Sequence, residues 1–141
     1  MSSPISARTF HEADGVDDWR AIFWGACAVF RTPDYATAGR FVTAIAAATD
    51  ALDHQPDIDM RPGTVAVRTF TPGGTARLSD LDITVAQRIS EAAREIGLEA
   101  DPSSVQHVQF TIDVVEGEPV KDFWQAALGY ERVDEDDIVD P

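Results

Sequence analysis

Between Thr32 and Leu52 one residue pattern restricts the fold more than any other. Ala38, Phe41, Val42, Ile45, Thr49 and Leu52 recur at three- and four-residue steps, which places them on one face of a helix. A helix with one such face must pack on another surface. Thr32 suits its N-cap and Pro33 its first helical position. Pro56 sets the other end, because the residue before a proline avoids helical geometry; the helix is expected to stop near Gln55.

On both sides of this helix the pattern changes. "DDWRAIFWGACAVFR" holds two short apolar pieces divided by Gly25, which reads as strands over 19–24 and 26–31. A buried helix is the competing assignment, because short apolar runs are ambiguous. "DIDMRPGTVAVRTFT" gives a short strand, a Pro62-Gly63 turn and a strand over 64–70, where Val65 and Val67 alternate with Ala66 and Arg68. "LSDLDITVAQRISEAAREIGL" is a second helix. Ser79 is its N-cap, with Asp82 three residues on in a capping-box arrangement. Val85, Ile89, Ala92 and Ile96 form its apolar stripe, and Gly97 suits the position after its end, with Leu98 packing back. The order strand-strand-helix-strand-strand-helix implies an α+β fold: a four-stranded antiparallel sheet with helices packed on one face. Such a domain often covers its remaining surface by self-association.

The rest of the chain is divided by composition. Residues 1–16 are polar and irregular and are expected to be disordered. Residues 17–99 form the α+β domain, and "ADPSS" at 100–104 is a linker. Residues 105–141 form a different unit, with Val108, Phe110 and Ile112 alternating as a strand. Pro119 opens a helix that carries Val120, Phe123, Trp124, Ala127 and Leu128, stopped by Gly129.

Charge and cysteine usage exclude several function classes. With 25 acidic against 11 basic residues the net charge is −14, and Lys121 is the only lysine. Such a chain repels phosphate backbones, so no nucleic-acid partner is expected. No apolar run approaches the roughly 20 residues that cross a membrane, and the N-terminus has no secretory apolar region. A cytoplasmic, soluble protein is expected. Cys27 is the only cysteine, which rules out a disulfide framework within the chain and a thiolate metal cage. It reads as a buried structural thiol, and Trp19 and Trp24 read as core or sheet-face aromatics.

Residues 17 to about 99 resemble the pterin-4a-carbinolamine dehydratase (4a-hydroxytetrahydrobiopterin dehydratase) family. The resemblance is carried by the first strand opening at Trp19, by "FRTPDYATAGRFV" leading into the first long helix, and by "TDALDHQP" at that helix's end. It continues through "VAVR" and "LSDLDITVAQRI". It implies removal of water from a 4a-hydroxytetrahydropterin in tetrahydrobiopterin recycling, a small-molecule pterin partner, no metal or organic cofactor, and a homodimer or homotetramer. The family's pattern is an acidic residue, three residues, two adjacent histidines and a proline, then an aromatic, a third histidine and an aspartate in the last helix. This sequence keeps Asp50, His54, Pro56 and Asp82. It has Gln55 at the second histidine, Pro62 at the aromatic, and Pro72 or Gly73 opposite the third histidine.

The chemistry explains why those positions matter. The departing hydroxyl must gain a proton and N5 must lose one, which calls for groups that exchange protons near neutral pH. The resemblance makes His54 the catalytic acid/base. If the helix runs to its last turn, Asp50 and His54 stand at i and i+4, so Asp50 would orient the ring. Gln55, Pro56 and Asp82 would shape the substrate pocket. Gln55 offers hydrogen bonds but no proton exchange. The structural alternatives remain open: His54 as a cap for helix carbonyls, and Asp82 as the capping partner of Ser79.

"HVQFTIDVVEGEPVKDFWQAALGYERVDEDDIVDP" is similar to the opening of a glyoxalase-like (vicinal oxygen chelate) domain, in its strand, its "FWQAALGY" helix and the acidic "DDIVDP". Only part of such a module is present, as in a fragment. Gln109 falls nearest the first metal-ligand position of that superfamily, with His107 on the same strand face. One or two ligands do not make a site where about four to six are usual, so no metal is expected. A non-catalytic pterin-binding or assembly module, or a fragment of a glyoxalase-superfamily protein, are the alternative functions.

Overall fold

The computed structural model describes residues 3–22, 25–72, 78–108, 117–132 and 138–139. It divides into two units, Met1–His107 and Val108–Pro141. The division falls at 107/108, after the stretch read as a linker.

The first unit is α+β, with an antiparallel sheet and helices. Its elements are α1 (Ala7–His11), β1 (Arg20–Ala21), β2 (Ala26–Arg31), α2 (Tyr35–Thr49), β3 (Asp57–Arg61), β4 (Thr64–Thr69), α3 (Asp80–Ile96) and β5 (Glu99–Ala100). The strands run in the order β1-β2-β4-β3. β4 pairs along all of β2, from Ala26 with Thr69 to Arg31 with Thr64. β1 and β5 share the other edge of β2, at Cys27–Ala26 and at Phe30–Arg31 respectively. β5 therefore adds a fifth strand that the sequence pattern did not suggest.

Alternation along the strands separates the two sheet faces. Ala26, Ala28 and Phe30 of β2 and Val65, Val67 and Thr69 of β4 are buried, together with Phe41 and Ile45 of α2 and Val85 and Ile89 of α3. The rings of Phe30 and Phe41 meet edge to face at 5.0 Å, which fixes α2 against β2. Trp19 is fully buried and donates its indole N–H to Ser90 Oγ at 3.0 Å. It is a core aromatic, and α3 satisfies its polar edge. Cys27 and Val29 lie on the opposite face of β2, half-buried rather than enclosed. Burial still pushes the Cys27 thiol up, against the opposing pull of Arg68.

Gly25 makes the break between β1 and β2. Its φ is +151°, and a Cβ there would lie 2.5 Å from the carbonyl oxygen of Thr69. The close approach of the β1–β2 connection to β4 therefore needs a residue with no side chain.

Several boundaries differ from the sequence reading, β1 among them, which spans Arg20–Ala21. The N-terminal stretch is folded, not disordered. Ser3–Ile5 runs beside the start of α3, with Ile5 N donating to Leu78 O at 2.9 Å and Asp80 N donating to Ser3 O at 3.2 Å. α1 follows, capped by Ser6, and fully buries Phe10. Burying a side chain of that size contributes roughly 1.5–3 kcal/mol. The average polarity of the segment concealed three apolar anchors, Ile5, Phe10 and Val16, all in or against the core.

Another difference is at the start of α2. Its N-cap is Asp34, which accepts from Thr37 N at 2.7 Å, and not Thr32. A carboxylate satisfies the free amide more strongly than a hydroxyl. Thr32 is buried instead, with its hydroxyl unpaired. A further difference is at 100–104, which is docked rather than free. Asp101 N donates to Val29 O at 2.7 Å. The Asp101 carboxylate accepts from Ser103, Ser104 and Arg31, and these bonds hold its pKa well below the usual carboxylate range.

The second unit holds α4 (Gly117–Leu128) and an antiparallel pair, β6 (Glu131–Arg132) with β7 (Ile138–Val139). Gly129, at φ +73°, ends α4. Phe123 and Trp124 meet edge to face at 5.2 Å. The strand expected through Phe110 and Ile112, and Gln109 with it, lie outside the described residues.

Candidate active site

The site begins with the way α2 ends. The helix stops at Thr49, and Asp50–Leu52 tightens into a 3-10 turn. Asp53 then takes a left-handed conformation, with φ 48° and ψ 35°. Pro56 pushes Gln55 away from helical geometry, which keeps the helix from running on, and aspartate is among the few residues that tolerate the left-handed region Asp53 takes. The chain turns at Asp53, so the helical i, i+4 relation between Asp50 and His54 does not form. Asp50 is exposed and makes no ion pair or hydrogen bond with His54. The expectation that Asp50 orients His54 is therefore corrected: a different carboxylate does so.

That carboxylate is Asp82. His54 Nε2 stands 2.8 Å from Asp82 Oδ1, with the His54 side chain 10% exposed and the Asp82 side chain 0% exposed. Asp82 occupies the third position of α3 and reaches back to accept from Ser79 N at 2.7 Å, as the capping-box spacing predicted. It also takes Thr69 Oγ1 on Oδ1 at 2.6 Å and Thr71 Oγ1 on Oδ2 at 2.7 Å. Thr71 Oγ1 and Ser79 Oγ are themselves 2.7 Å apart. One carboxylate thus joins the end of α2, the end of β4 and the start of α3.

Burial alone would favour the neutral acid. The hydrogen bonds from Thr69, His54, Thr71 and Ser79 outweigh it and hold the Asp82 pKa below the ordinary aspartate value. Its place at the N-terminus of a long helix acts in the same direction. Asp82 is therefore a buried anion facing one imidazole.

This arrangement changes the role expected of Asp82. With no exposed side-chain surface, Asp82 stands behind His54 and holds its Nε2. Gln55 is exposed and Pro56 half-buried, directly after His54. Pro72, opposite the family's third histidine, is exposed, and Gly73 lies outside the described residues. His11 does not replace a missing histidine, because its Nε2 accepts the backbone N–H of Ala21 at 3.1 Å. No local sequence motif marks Thr69 and Thr71 as site residues. Their alternation at the end of β4, opposite a capping-box aspartate, was the available signal.

Two concavities lie elsewhere. One, of about 430 Å³, lies on the sheet face that carries Cys27 and Val29, between them and Ala66, Arg68 and Val105. The other, of about 490 Å³, lies between α2 and α3 at Ala44, Ala48, Arg88 and Glu95. His54 lines neither. Among the described residues no group of three or more His, Cys, Asp or Glu is placed to hold a metal ion. Among them, too, no helix is long and apolar enough to cross a membrane.

Comparison with known proteins agrees with this architecture. The structure is similar to the crystal structure of a transcriptional coactivator/pterin dehydratase from Brucella melitensis, at 23% identity and a TM-score of 0.57. The likeness covers 64% of this chain and 99% of that one, and at this identity it shows a shared fold. No curated protein matches the chain. The family model described as pterin 4 alpha carbinolamine dehydratase matches residues 4–92, which include α1, the sheet strands β1–β4 and most of α3. That match spans well over half of the 141 residues, and the chain belongs to the pterin 4 alpha carbinolamine dehydratase family.

Proposed function

We propose that this chain is a 4a-hydroxytetrahydropterin dehydratase of reduced efficiency, with His54 as its acid/base. The observation that carries this reading is the 2.8 Å contact between His54 Nε2 and the buried, ionised Asp82. A buried anion behind an imidazole is how proton-transfer histidines are oriented. The reduced efficiency follows from Gln55 and Pro72, which offer no proton near neutral pH. Gln55, exposed and next to His54 in the chain, would hydrogen-bond the pterin. The homodimer or homotetramer belongs to this same proposal and rests on the family resemblance, and the cytoplasmic location is proposed from the acidic composition.

The test is a coupled assay. A pterin-dependent hydroxylase generates the 4a-hydroxypterin, and its dehydration is followed with and without micromolar chain. The expected result is a rate above the uncatalysed one. Equal rates would reject the enzyme. A pterin-binding or assembly module is the second reading, favoured by the absence of two of the family's three histidines. Calorimetric binding of a dihydropterin without acceleration would support it. The partial glyoxalase-like reading of 105–141 remains a proposal for that segment alone.

A further inference from the structure

We infer that His54 carries out both proton transfers of the dehydration through one atom, Nδ1, and that Thr69, Thr71 and Ser79 are positioning residues for that shuttle. This deepens the dehydratase reading above and rests on it.

The ionised carboxylate of Asp82 only accepts hydrogen bonds. Ser79 N and Thr69 Oγ1 donate to it, and Thr71 Oγ1 stands at the same distance from Oδ2 as from Ser79 Oγ. His54 Nε2 faces this acceptor, so Nε2 must carry a proton. In the neutral ring that leaves Nδ1 unprotonated, and no described residue hydrogen-bonds it. Of the charged groups around it, only Asp82 lies within ion-pairing distance of His54. Asp50 is exposed on the preceding turn, and Asp57 of β3 is paired with Arg68 of β4. The ring therefore has one fixed nitrogen and one working nitrogen.

A single working nitrogen is sufficient for this reaction, because the two reacting atoms are bonded neighbours. The hydroxyl is on C4a and the proton to be lost is on N5. In the first step, Nδ1–H of the imidazolium protonates the hydroxyl as the C4a–O bond breaks. Water leaves, and the N5 lone pair forms the C4a=N5 bond, which leaves N5 protonated and cationic. In the second step, the now neutral Nδ1 removes the N5 proton, giving the quinonoid dihydropterin and restoring the imidazolium. One proton leaves His54 and one returns, so the cycle closes without a second titrating side chain. Gln55 and Pro72, where the family has histidines, are then compatible with turnover.

The experiment uses the whole chain labelled with nitrogen-15 at histidine. Long-range proton–nitrogen correlation above the imidazole titration identifies the neutral tautomer of His54, and His54→Gln assigns the signal. The dehydration rate is measured against pH in parallel. The shuttle requires the Nε2–H tautomer and a rate that declines with a single ionisation as pH rises. A dominant Nδ1–H tautomer, or a bell-shaped profile needing two groups, overturns the shuttle while leaving the dehydratase reading in place. Absence of acceleration at every pH overturns both. Thr71→Val tests the positioning set: it should mix the tautomers and lower kcat with little change in KM. An unchanged tautomer and kcat in that variant would remove Thr71 from the role.

Discussion

Replacing His54 with alanine should reduce the dehydration rate by about 10²–10⁴-fold, the usual contribution of one positioned proton-transfer group. The residual rate should equal that of the uncatalysed reaction, because no second histidine stands at the site. The fold should survive the change. Asp82 would lose one partner but keep Thr69, Thr71 and Ser79, and so remain a satisfied buried anion. Steady-state kinetics of the purified variant, with circular dichroism as the check on folding, measure this directly. Rates that fall less than tenfold, well short of that range, would mean the chemistry lies elsewhere.

The second large effect is on stability. Asp82→Val would remove the acceptor that joins α2, β4 and α3, and leave the amide of Ser79 and the hydroxyls of Thr69 and Thr71 to find other partners. Thr71 keeps Ser79 Oγ as a partner; the Ser79 amide and the Thr69 hydroxyl do not, and at about 1–3 kcal/mol for each buried group left unpaired a loss of roughly 2–6 kcal/mol is expected. That is a large share of the roughly 5–15 kcal/mol that holds a domain of this size together. The ionisation of Asp82 also gives this contribution a direction with pH. Its folded pKa is lowered, so the charged form binds into the native state more favourably than into the unfolded chain. The resulting stability is fully present above the unfolded aspartate pKa, about 3.9, and is lost as pH falls through the lower folded value. Urea melts at pH 7 and in acid should therefore show the difference between the natural chain and Asp82→Val shrinking in acid. A constant difference would place the Asp82 contribution in packing rather than charge.

Much of the architecture can be read from residue spacing. The two long helices follow from their apolar stripes, and β3 and β4 from the Pro62-Gly63 turn with Val65 and Val67 alternating behind it. The capping box at Ser79 and Asp82 is local, and it formed as its spacing implied. Interactions between distant segments were not readable in this way. Asp101 and Arg31 are far apart in sequence, as are Ile5 and Leu78, and neither pairing has a local signature. Averaged polarity also hid the anchoring of α1 by Phe10.

The candidate site shows the same limit at finer scale. The sequence identified both His54 and Asp82, but paired His54 with Asp50 because an ideal helix would. A single left-handed residue, Asp53, redirects the chain, and His54 meets Asp82 in place of Asp50. Pro56 signals that the helix must end but not how many residues earlier it does so. The 3-10 turn and the left-handed aspartate together occupy the stretch where an ideal helix was assumed. Thr69 and Thr71 went unnoticed because hydroxyls at a strand's end become informative only once their acceptor is located.

In the proposed mechanism Asp82, and not Asp50, is the carboxylate that orients His54. The dehydration rate of Asp50→Ala tests it most directly. Asp50 is exposed and unpaired with His54, so its removal should change the rate by no more than about twofold, the scale of an ordinary surface substitution. A loss comparable to that of His54→Ala would contradict the claim and return the orienting role to Asp50.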